Sequence, residues 1–196
     1  MAPSQEEAPQ LRSLDLMDRA ATALLVIDVQ ERLLAAQPQS ERIVWNCRRL
    51  AEAARAVGVS TAATIQAPSK LGPMPSPLTE TLPEPIAKVA FSACEGAPLA
   101  KPWAEAGVRH VLVAGVETHV CVLQTALDLL AEGFQPTVCV DAVGSRFEHD
   151  HEVGLRRMEA SGVVLTTAEA AMFEWCRTAA DDAFRTISAL AKEPAP

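Results

Sequence analysis

This 196-residue chain contains three side chains whose types suit covalent hydrolysis: Asp28, Lys88 and Cys121. Each of them follows or lies within an apolar run of the sequence. A carboxylate can accept a thiol proton and return it to a leaving group, and a nearby ammonium favours the thiolate. The three residues could therefore supply a base, a cation and a nucleophile. The same residue types also fit purely structural roles, in which Cys121 packs in the core, Asp28 caps a turn and Lys88 lies on the surface.

Cys121 falls in the first turn of an amphipathic segment, 120–131, that predicts a helix. Unpaired N–H groups and the helix dipole favour an anion at that position, so we expect the pKa of the Cys121 thiol to be lowered. Backbone N–H groups in the turn before this helix could also hold an oxyanion.

Strand-like apolar runs alternate with helical stripes along nearly the whole chain. The predicted strands are 23–29, 59–65, 86–90, 110–116, 136–140 and 163–165, and the predicted helices are 40–57, 97–106, 120–131, 148–160, 167–177 and 180–191. This alternation is typical of an α/β fold with a parallel sheet and right-handed crossovers. Ligands of such sheets bind beyond the carboxyl ends of the strands, so the reactive side chains are expected at one edge.

Two boundary signals and one loop stand out in this pattern. Ser40 is the expected N-cap of the first long helix, and Gly58 is expected to end it. Six prolines lie between residues 67 and 85, which argues against regular helix there. We interpret 67–85 as a functional loop because it lies between elements of one sheet.

Length, charge and composition narrow the function classes. We expect one domain over residues 20–192, a mobile arm over 1–19 and a tail over 193–196. Lys and Arg number 17 against 25 Asp and Glu, and the net charge of −8 disfavours nucleic acid as a partner. No apolar run approaches the ~20 residues of a membrane helix. The N-terminus lacks a signal-peptide pattern and the cysteines form no CxxC pair, so we predict a cytoplasmic protein.

Several segments carry a family resemblance. These are LLVIDVQ at 24–30, AKVAFSA at 87–93, AGVETHVCVLQTALDLLAEGF at 114–134, VDAVGSR at 140–146 and LTTAEAAMFEW at 165–175. They resemble the isochorismatase-like cysteine hydrolases, and in particular the small isochorismatase-domain hydrolases of unassigned substrate. The resemblance spans roughly residues 20–178. It implies a three-layer α/β/α fold whose six parallel strands take the order 3-2-1-4-5-6.

The same resemblance implies roles for individual residues. Asp28 would take the thiol proton, Lys88 would orient the carboxylate and favour the thiolate, and Cys121 would attack a carbonyl-type carbon. A cis peptide between Val116 and Glu117 is implied as well. It would turn the N–H groups of Glu117 and Cys121 toward one oxyanion.

The walls of the pocket and the need for a metal are further expectations. Residues near strand ends are candidates for the pocket wall: Gln30, Gln66, Phe91 and Thr118. Nicotinamidases of the resembled family carry metal-binding Asp and His residues after the second strand. Residues 66–70 here hold neither histidine nor carboxylate, so we predict no catalytic metal and no cofactor.

Histidines offer two other possible sites. His149 and His151 flank Asp150 and could bind a metal, but alternate residues of a helix point apart. His119 is close to Cys121 in sequence, yet two positions apart their side chains diverge. We therefore prefer Asp28 as the base.

These features together predict a cofactor-independent cysteine hydrolase that acts on a small amide or related carbonyl compound. Its expected partners are a small-molecule substrate and further copies of the chain, with neither nucleic acid nor membrane. Two alternatives stay open. One is a catalytically silent member of the fold that serves as a ligand-binding or interaction domain, and the other is an enzyme that hydrolyses the vinyl ether of isochorismate.

Overall fold

A parallel sheet of six strands organises the computed structural model, which describes residues 12–196. The strands are β1 (Thr22–Ile27), β2 (Ser60–Gln66), β3 (Ile86–Lys88), β4 (His110–Val116), β5 (Gln135–Gly144) and β6 (Val164–Thr166). Their spatial order is β3-β2-β1-β4-β5-β6, and every pairing is parallel. The predicted fold class and strand order are therefore confirmed.

Helices connect the strands and cover both faces of the sheet. They are α1 (Glu31–Leu34), α2 (Ser40–Val57), α3 (Pro68–Leu71), α4 (Ser76–Thr79), α5 (Ala93–Gly96), α6 (Ala100–Glu105), α7 (Leu123–Ala131), α8 (Glu148–Ala160), α9 (Ala168–Cys176) and α10 (Phe184–Ala191). A 3₁₀ turn spans Arg19–Ala21, and a π-helical turn spans Thr118–Val122 directly before α7.

The central strands are buried on both faces, as their continuous apolar sequences require. Every residue of β1 and β4 is buried. Leu24 and Val26 belong to one core cluster with residues of α2, α9 and α10, while Leu25 and Ile27 face the opposite side with residues of α7. Alternate residues of a strand point to opposite faces, so apolar residues at successive positions supply two core layers.

The first long helix shows which boundary signals were reliable. α2 has the predicted bounds, and Gly58 ends it in the left-handed conformation, with its N–H bonded to the carbonyl oxygen of Ala54. The expected N-cap is wrong by one residue. Ser40 is the first helical residue, Gln39 precedes it, and no side chain caps this end.

Two segments contain more short helix than expected. Single helical turns, α3 and α4, interrupt the proline-rich stretch 67–85, with a proline at the first or second helical position of each. A proline at this position lacks only an N–H that would have no helical partner. The helix expected over 97–106 is replaced by α5 and the six-residue α6. Ser92 caps α5 by accepting a hydrogen bond from the N–H of Cys94.

The chain packs onto this domain from before residue 20. Residues 1–11 of the expected mobile arm lie outside the described residues. Residues 12–19 contact the domain, and the mobility of this arm stays a prediction. The Met17 side chain is buried in the core, its N–H donates to the Glu174 carboxylate at 2.8 Å, and Arg12 donates to the Glu174 carbonyl oxygen at 2.8 Å.

None of the helices within residues 12–196 is both long enough and apolar enough to cross a bilayer.

A close approach between the two central strands depends on Gly115. Gly115 pairs with Ile27 across the sheet and has a φ of +121°. A Cβ atom at Gly115 would lie 2.0 Å from the Ile27 carbonyl oxygen. This contact lies one residue before Asp28, so glycine here lets the ends of β1 and β4 meet.

We predict that Gly115→Ala lowers the free energy of unfolding by at least about 3 kcal/mol, because it combines a steric overlap with a strained φ. Gly133→Ala is the matched control, since Gly133 also has a positive φ but open space around its Cβ position. It should cost about 1–2 kcal/mol. Urea unfolding followed by tryptophan fluorescence measures both. Equal losses would contradict the steric role of Gly115.

Candidate active site

Asp28 lies at the carboxyl end of β1, where the chain turns away from the sheet. Its φ of +53° is left-handed, a conformation that aspartate tolerates better than most residues. Its N–H donates to the Thr64 carbonyl oxygen at 3.0 Å, and its Oδ1 accepts from the Thr64 hydroxyl at 2.9 Å. Thr64 on β2 therefore holds both the backbone and the carboxylate of Asp28.

Lys88 forms a buried ion pair with this carboxylate. Its Nζ lies 2.6 Å from Asp28 Oδ2, and both side chains are 0% exposed. The ammonium also donates to Gln66 Oε1 at 2.7 Å and to the carbonyl oxygens of Phe91 and Ala90 at 3.0 and 3.2 Å. A buried charge is tolerated when it is paired and its hydrogen-bonding capacity is used, and Lys88 meets both conditions.

Two glutamine side chains fix the backbone around this ion pair. Gln30 accepts from the Gln66 N–H at 2.7 Å and donates to the carbonyl oxygens of Gln66 and Gly72 at 3.1 and 2.7 Å. Gln66 in turn donates to the Val89 carbonyl oxygen at 2.6 Å. The ends of β1, β2 and β3 are thus joined by side-chain amides, which keep Gln66 Oε1 next to Lys88.

Cys121 comes to the same place from β4. The chain leaves β4 through a cis peptide bond between Val116 and Glu117 and enters the π-helical turn that carries Cys121. The Asp28 carboxylate, the Lys88 ammonium and the Glu117 backbone lie near enough to shift the pKa of the Cys121 thiol, and Cys121 is 6% exposed. The structure therefore brings Asp28, Lys88 and Cys121 together at one sheet edge.

The pKa of Cys121 moves opposite to the expectation. It is raised to about 12, chiefly because the thiol is buried and next because the negative charge of Asp28 is close. Lys88 and the Glu117 N–H act in the lowering direction but do not prevail. The resting thiol is consequently protonated at neutral pH, and it needs a base to become a nucleophile.

The side chain of Glu117 is tied to the opposite side of the turn. Its Oε1 accepts from the Arg146 guanidinium at 2.9 Å, from the Arg146 N–H at 3.2 Å and from Gln37 Nε2 at 3.3 Å. Thr118, the next residue, shares a 2.9 Å hydrogen bond with the His151 ring. These contacts anchor the turn that carries Cys121. They attach it to α8 and to the segment after β5.

The expected pocket residues have different roles in the structure. Gln30 and Thr118 are 0% exposed and bonded internally, so they are not pocket walls. Gln66 is mostly buried and supports Lys88. Phe91 supplies its carbonyl oxygen to Lys88 while its side chain is 54% exposed. The side chains of Gln30 and Gln66 serve the surroundings of the Asp28–Lys88 ion pair, and Thr118 serves the turn that carries Cys121; the sequence pattern revealed neither role.

The histidines do not assemble a metal site. His151 turns to Thr118, and His119 shares a 2.9 Å hydrogen bond with Ser145. Across residues 12–196, the structure contains no group of three or more His, Cys, Asp or Glu side chains arranged to hold a metal ion. That the enzyme needs no metal stays a prediction.

Thr64 is the supporting residue that sequence reasoning missed. Its side chain is fully buried in a strand whose neighbours are mainly small and apolar. A lone hydroxyl in a buried strand is a usable signal, because such a group requires a hydrogen-bond partner. Gln37 and Arg146 gave no comparable signal, since both lie outside strands and helices.

Comparison with known proteins agrees with this architecture. The isochorismatase domain family matches residues 22–170. The chain belongs to this family. Isochorismatase domain-containing protein 2 of Bos taurus is 37% identical over 179 residues, which cover 90% of this chain and 85% of the relative.

Two solved structures of similar sequence share this fold. The structure of MAR1 ribonuclease from Caenorhabditis elegans has a TM-score of 0.86 and 36% identity, and the match covers 92% of this chain and 94% of the other. YcaC from Escherichia coli, described as an octameric hydrolase of unknown specificity, has a TM-score of 0.82 and 26% identity. That match covers 92% of this chain and 91% of YcaC. The shared fold is that of isochorismatase-family hydrolases.

We predict that Lys88→Met lowers the free energy of unfolding by about 3–5 kcal/mol, because it leaves a buried carboxylate without its cation. Adding Asp28→Asn should restore most of this loss, since both buried charges are then removed. Chemical denaturation of the single and double variants measures the difference. A double variant no more stable than Lys88→Met would contradict the ion-pair interpretation.

Lys101→Met is the control for loss of a lysine charge. Lys101 lies 3.9 Å from Glu105, and both side chains are mostly exposed. This variant should change the free energy of unfolding by no more than about 0.5 kcal/mol.

Proposed function

We propose that this protein is a cofactor-independent cysteine hydrolase that cleaves the C–N bond of a small amide or related carbonyl compound. The observation that carries the proposal is the closeness of the buried Cys121 thiol to the Asp28 carboxylate, which is itself paired with Lys88. A nucleophile, a base and a cation thus lie together in a buried site. The family to which the chain belongs supports hydrolysis in general.

The first half of the reaction forms an acyl enzyme. Asp28 accepts the proton of Cys121 as the sulfur attacks the carbonyl carbon, and the negative charge passes to the carbonyl oxygen. The N–H groups of Glu117 and Cys121 are the proposed oxyanion donors. Collapse of this intermediate breaks the C–N bond, Asp28 protonates the leaving nitrogen, and a thioester to Cys121 results.

The second half releases the acid. Asp28 removes a proton from a water molecule while the oxygen of that water molecule attacks the thioester carbon. The carbon–sulfur bond then breaks, and the proton returns to the Cys121 sulfur. Atoms and charges balance, because the net reaction consumes one water molecule and leaves the enzyme unchanged.

Lys88 serves both halves through charge and geometry. It holds one oxygen of the Asp28 carboxylate at 2.6 Å, while Thr64 holds the other oxygen at 2.9 Å. Because a positive charge favours the thiolate, Lys88 lowers the energy of the state in which the proton has left the sulfur. The raised pKa of the resting Cys121 fits a nucleophile that is activated only as it reacts.

The alternatives differ in what they require of Cys121. Hydrolysis of a vinyl ether such as isochorismate needs no nucleophilic sulfur, and a silent binding domain needs no base. Neither explains why the thiol lies near a carboxylate that is held by Thr64 and Lys88. Amide hydrolysis uses all these contacts, so it is the favoured function.

The name of one relative raises RNA as a substrate. The matching Caenorhabditis elegans protein is called a ribonuclease. The present chain has a net charge of −8, which repels phosphate backbones, and Cys121 is only 6% exposed. We therefore propose a small uncharged or polar substrate rather than RNA.

Assembly into a homo-oligomer is part of the proposal. YcaC, a structural relative, is described as octameric. In the present chain Val89 and Phe91 follow Lys88 directly, and their side chains are 83% and 54% exposed. A second copy that covers these apolar groups would remove them from water at the rim of the site.

We predict that a panel of small amides will contain at least one that wild-type protein hydrolyses, and that Cys121→Ala lowers this rate by at least about 1,000-fold. Cys94→Ala is the matched control, since Cys94 is partly exposed and outside the ion-pair network; it should keep wild-type activity. Release of ammonia or amine is measured.

Three other outcomes would decide against the proposal. Isochorismate turnover that survives Cys121→Ala would establish vinyl-ether hydrolysis. Hydrolysis of single-stranded RNA, with no activity on amides, would establish a nuclease. Inactivity on the whole panel together with wild-type binding of its members would favour a silent binding domain.

We predict that alkylation of Cys121 by iodoacetamide speeds up about tenfold per pH unit between pH 6 and 9, without a plateau. The sign follows from the raised pKa, because the thiolate fraction grows with pH until the pKa of about 12 is reached. Mass spectrometry of the modified peptides measures the rate at each cysteine. A plateau near neutral pH would instead show a resident thiolate.

Asp28→Asn separates the two effects of the carboxylate. Removing its negative charge eliminates a cause of the raised pKa, so Cys121 alkylation at pH 7 should become faster. Amide hydrolysis should nevertheless be lost, because the variant has no base. A variant that alkylates slowly and still hydrolyses would contradict the role of Asp28.

A further inference from the structure

A cavity lies beyond the carboxyl end of β5, between the first turns of α2 and α8. Its volume is about 150 Å³. The polar and small residues that line it include Gln37, Arg42, Gly144, Ser145, Glu148 and His151. Asp28, Lys88 and Cys121 do not line it, so the proposed hydrolysis leaves this cavity without a role.

Two buried polar atoms at this cavity lack hydrogen-bond partners within the described part of the chain. Gln37 is 6% exposed, and its Nε2 donates to Glu117, but its Oε1 has no partner. That Oε1 lies 3.1 Å from the position of a Cβ built on Gly144, which also lines the cavity. The Nε of Arg42 is the second unpartnered atom. Buried groups of this kind normally have a partner, which either a ligand or ordered water supplies.

Arg42 and the starts of two helices favour an anion inside the cavity. Both α2 and α8 begin without a side-chain cap, and although the Ser40 N–H bonds the Gln37 carbonyl oxygen, the next N–H groups of each first turn suit a negative group. Arg42 adds a full positive charge. Glu148 opposes it from the exposed rim, and burial together with Arg42 lowers the pKa of His151, so its ring is neutral at pH 7.

The unpartnered atoms also specify a hydrogen-bond pattern. Arg42 Nε can only donate, so it suits a carboxylate oxygen. Gln37 Oε1 can only accept, so it requires an O–H or N–H of the ligand. A cavity of about 150 Å³ suits a small ligand rather than a macromolecule.

We propose that this cavity binds a small 2-hydroxycarboxylate. Its carboxylate would accept from Arg42 Nε and from the free N–H groups of the helix starts. Its hydroxyl would donate to Gln37 Oε1. The site is independent of the proposed hydrolysis, although Gln37 and His151 also contact Glu117 and Thr118 of the nucleophile turn.

Isothermal titration with glycolate tests the proposal, and acetate serves as the probe that lacks the hydroxyl. We expect saturable glycolate binding to the wild-type protein and about fivefold weaker acetate binding, as for one lost neutral hydrogen bond. Arg42→Gln should weaken glycolate binding about tenfold or more. Arg55→Gln, on an exposed position of the same helix, should leave it unchanged.

Gln37→Met provides a second readout that does not rely on the size of a loss. It should remove the preference for glycolate over acetate, because only the hydroxyl contacts Gln37. Protein with Cys121 blocked by iodoacetamide should bind glycolate as before, whatever its hydrolytic activity.

Four outcomes would overturn the proposal. These are no saturable binding of glycolate, equal weakening by Arg42→Gln and Arg55→Gln, an unchanged preference in folded Gln37→Met protein, and loss of binding after Cys121 is blocked. The last would assign glycolate to the Cys121 site. Circular dichroism of each variant establishes that it is folded.

Discussion

The buried ion pair between Asp28 and Lys88 is the constraint on which the site depends. Two charges without solvent are tolerated only when every oxygen and N–H has a partner. Thr64, Gln66 and two backbone carbonyls supply these partners, and Gln30 holds Gln66 in place. The ends of three neighbouring strands are therefore committed to orienting one carboxylate.

That constraint also sets the state of the nucleophile. Burial and the Asp28 charge raise the pKa of Cys121 to about 12, so the thiol is stored in its protonated form. A protonated thiol resists adventitious oxidation and alkylation better than a thiolate. The proposed reaction uses the same carboxylate that raises the pKa as the base that removes the proton, which couples activation to substrate binding.

The turn that carries Cys121 is supported from a second direction. The Glu117 carboxylate is held by Arg146 and Gln37, and Thr118 is held by His151 on α8. The proposed anion cavity is bounded by Gln37 and His151 as well. The sheet edge and the cavity thus meet at the turn that carries Cys121. The positions of the backbone N–H groups in this turn therefore depend on both the sheet edge and the cavity.

The sequence by itself determined the alternation of strands and helices, and it singled out Asp28, Lys88 and Cys121, while the strand order came from the family resemblance. Buried strands such as 110–116 and stripes such as 40–57 carry local periodic signals, whereas the order of strands in a sheet does not. Only the tertiary structure decided the direction of the Cys121 pKa, the internal roles of Gln30 and Thr118, and the short helices within 67–85. These features depend on burial and on partners distant in sequence. The local spacing of residues predicts neither the desolvation of a thiol nor the hydrogen-bond partner of an amide.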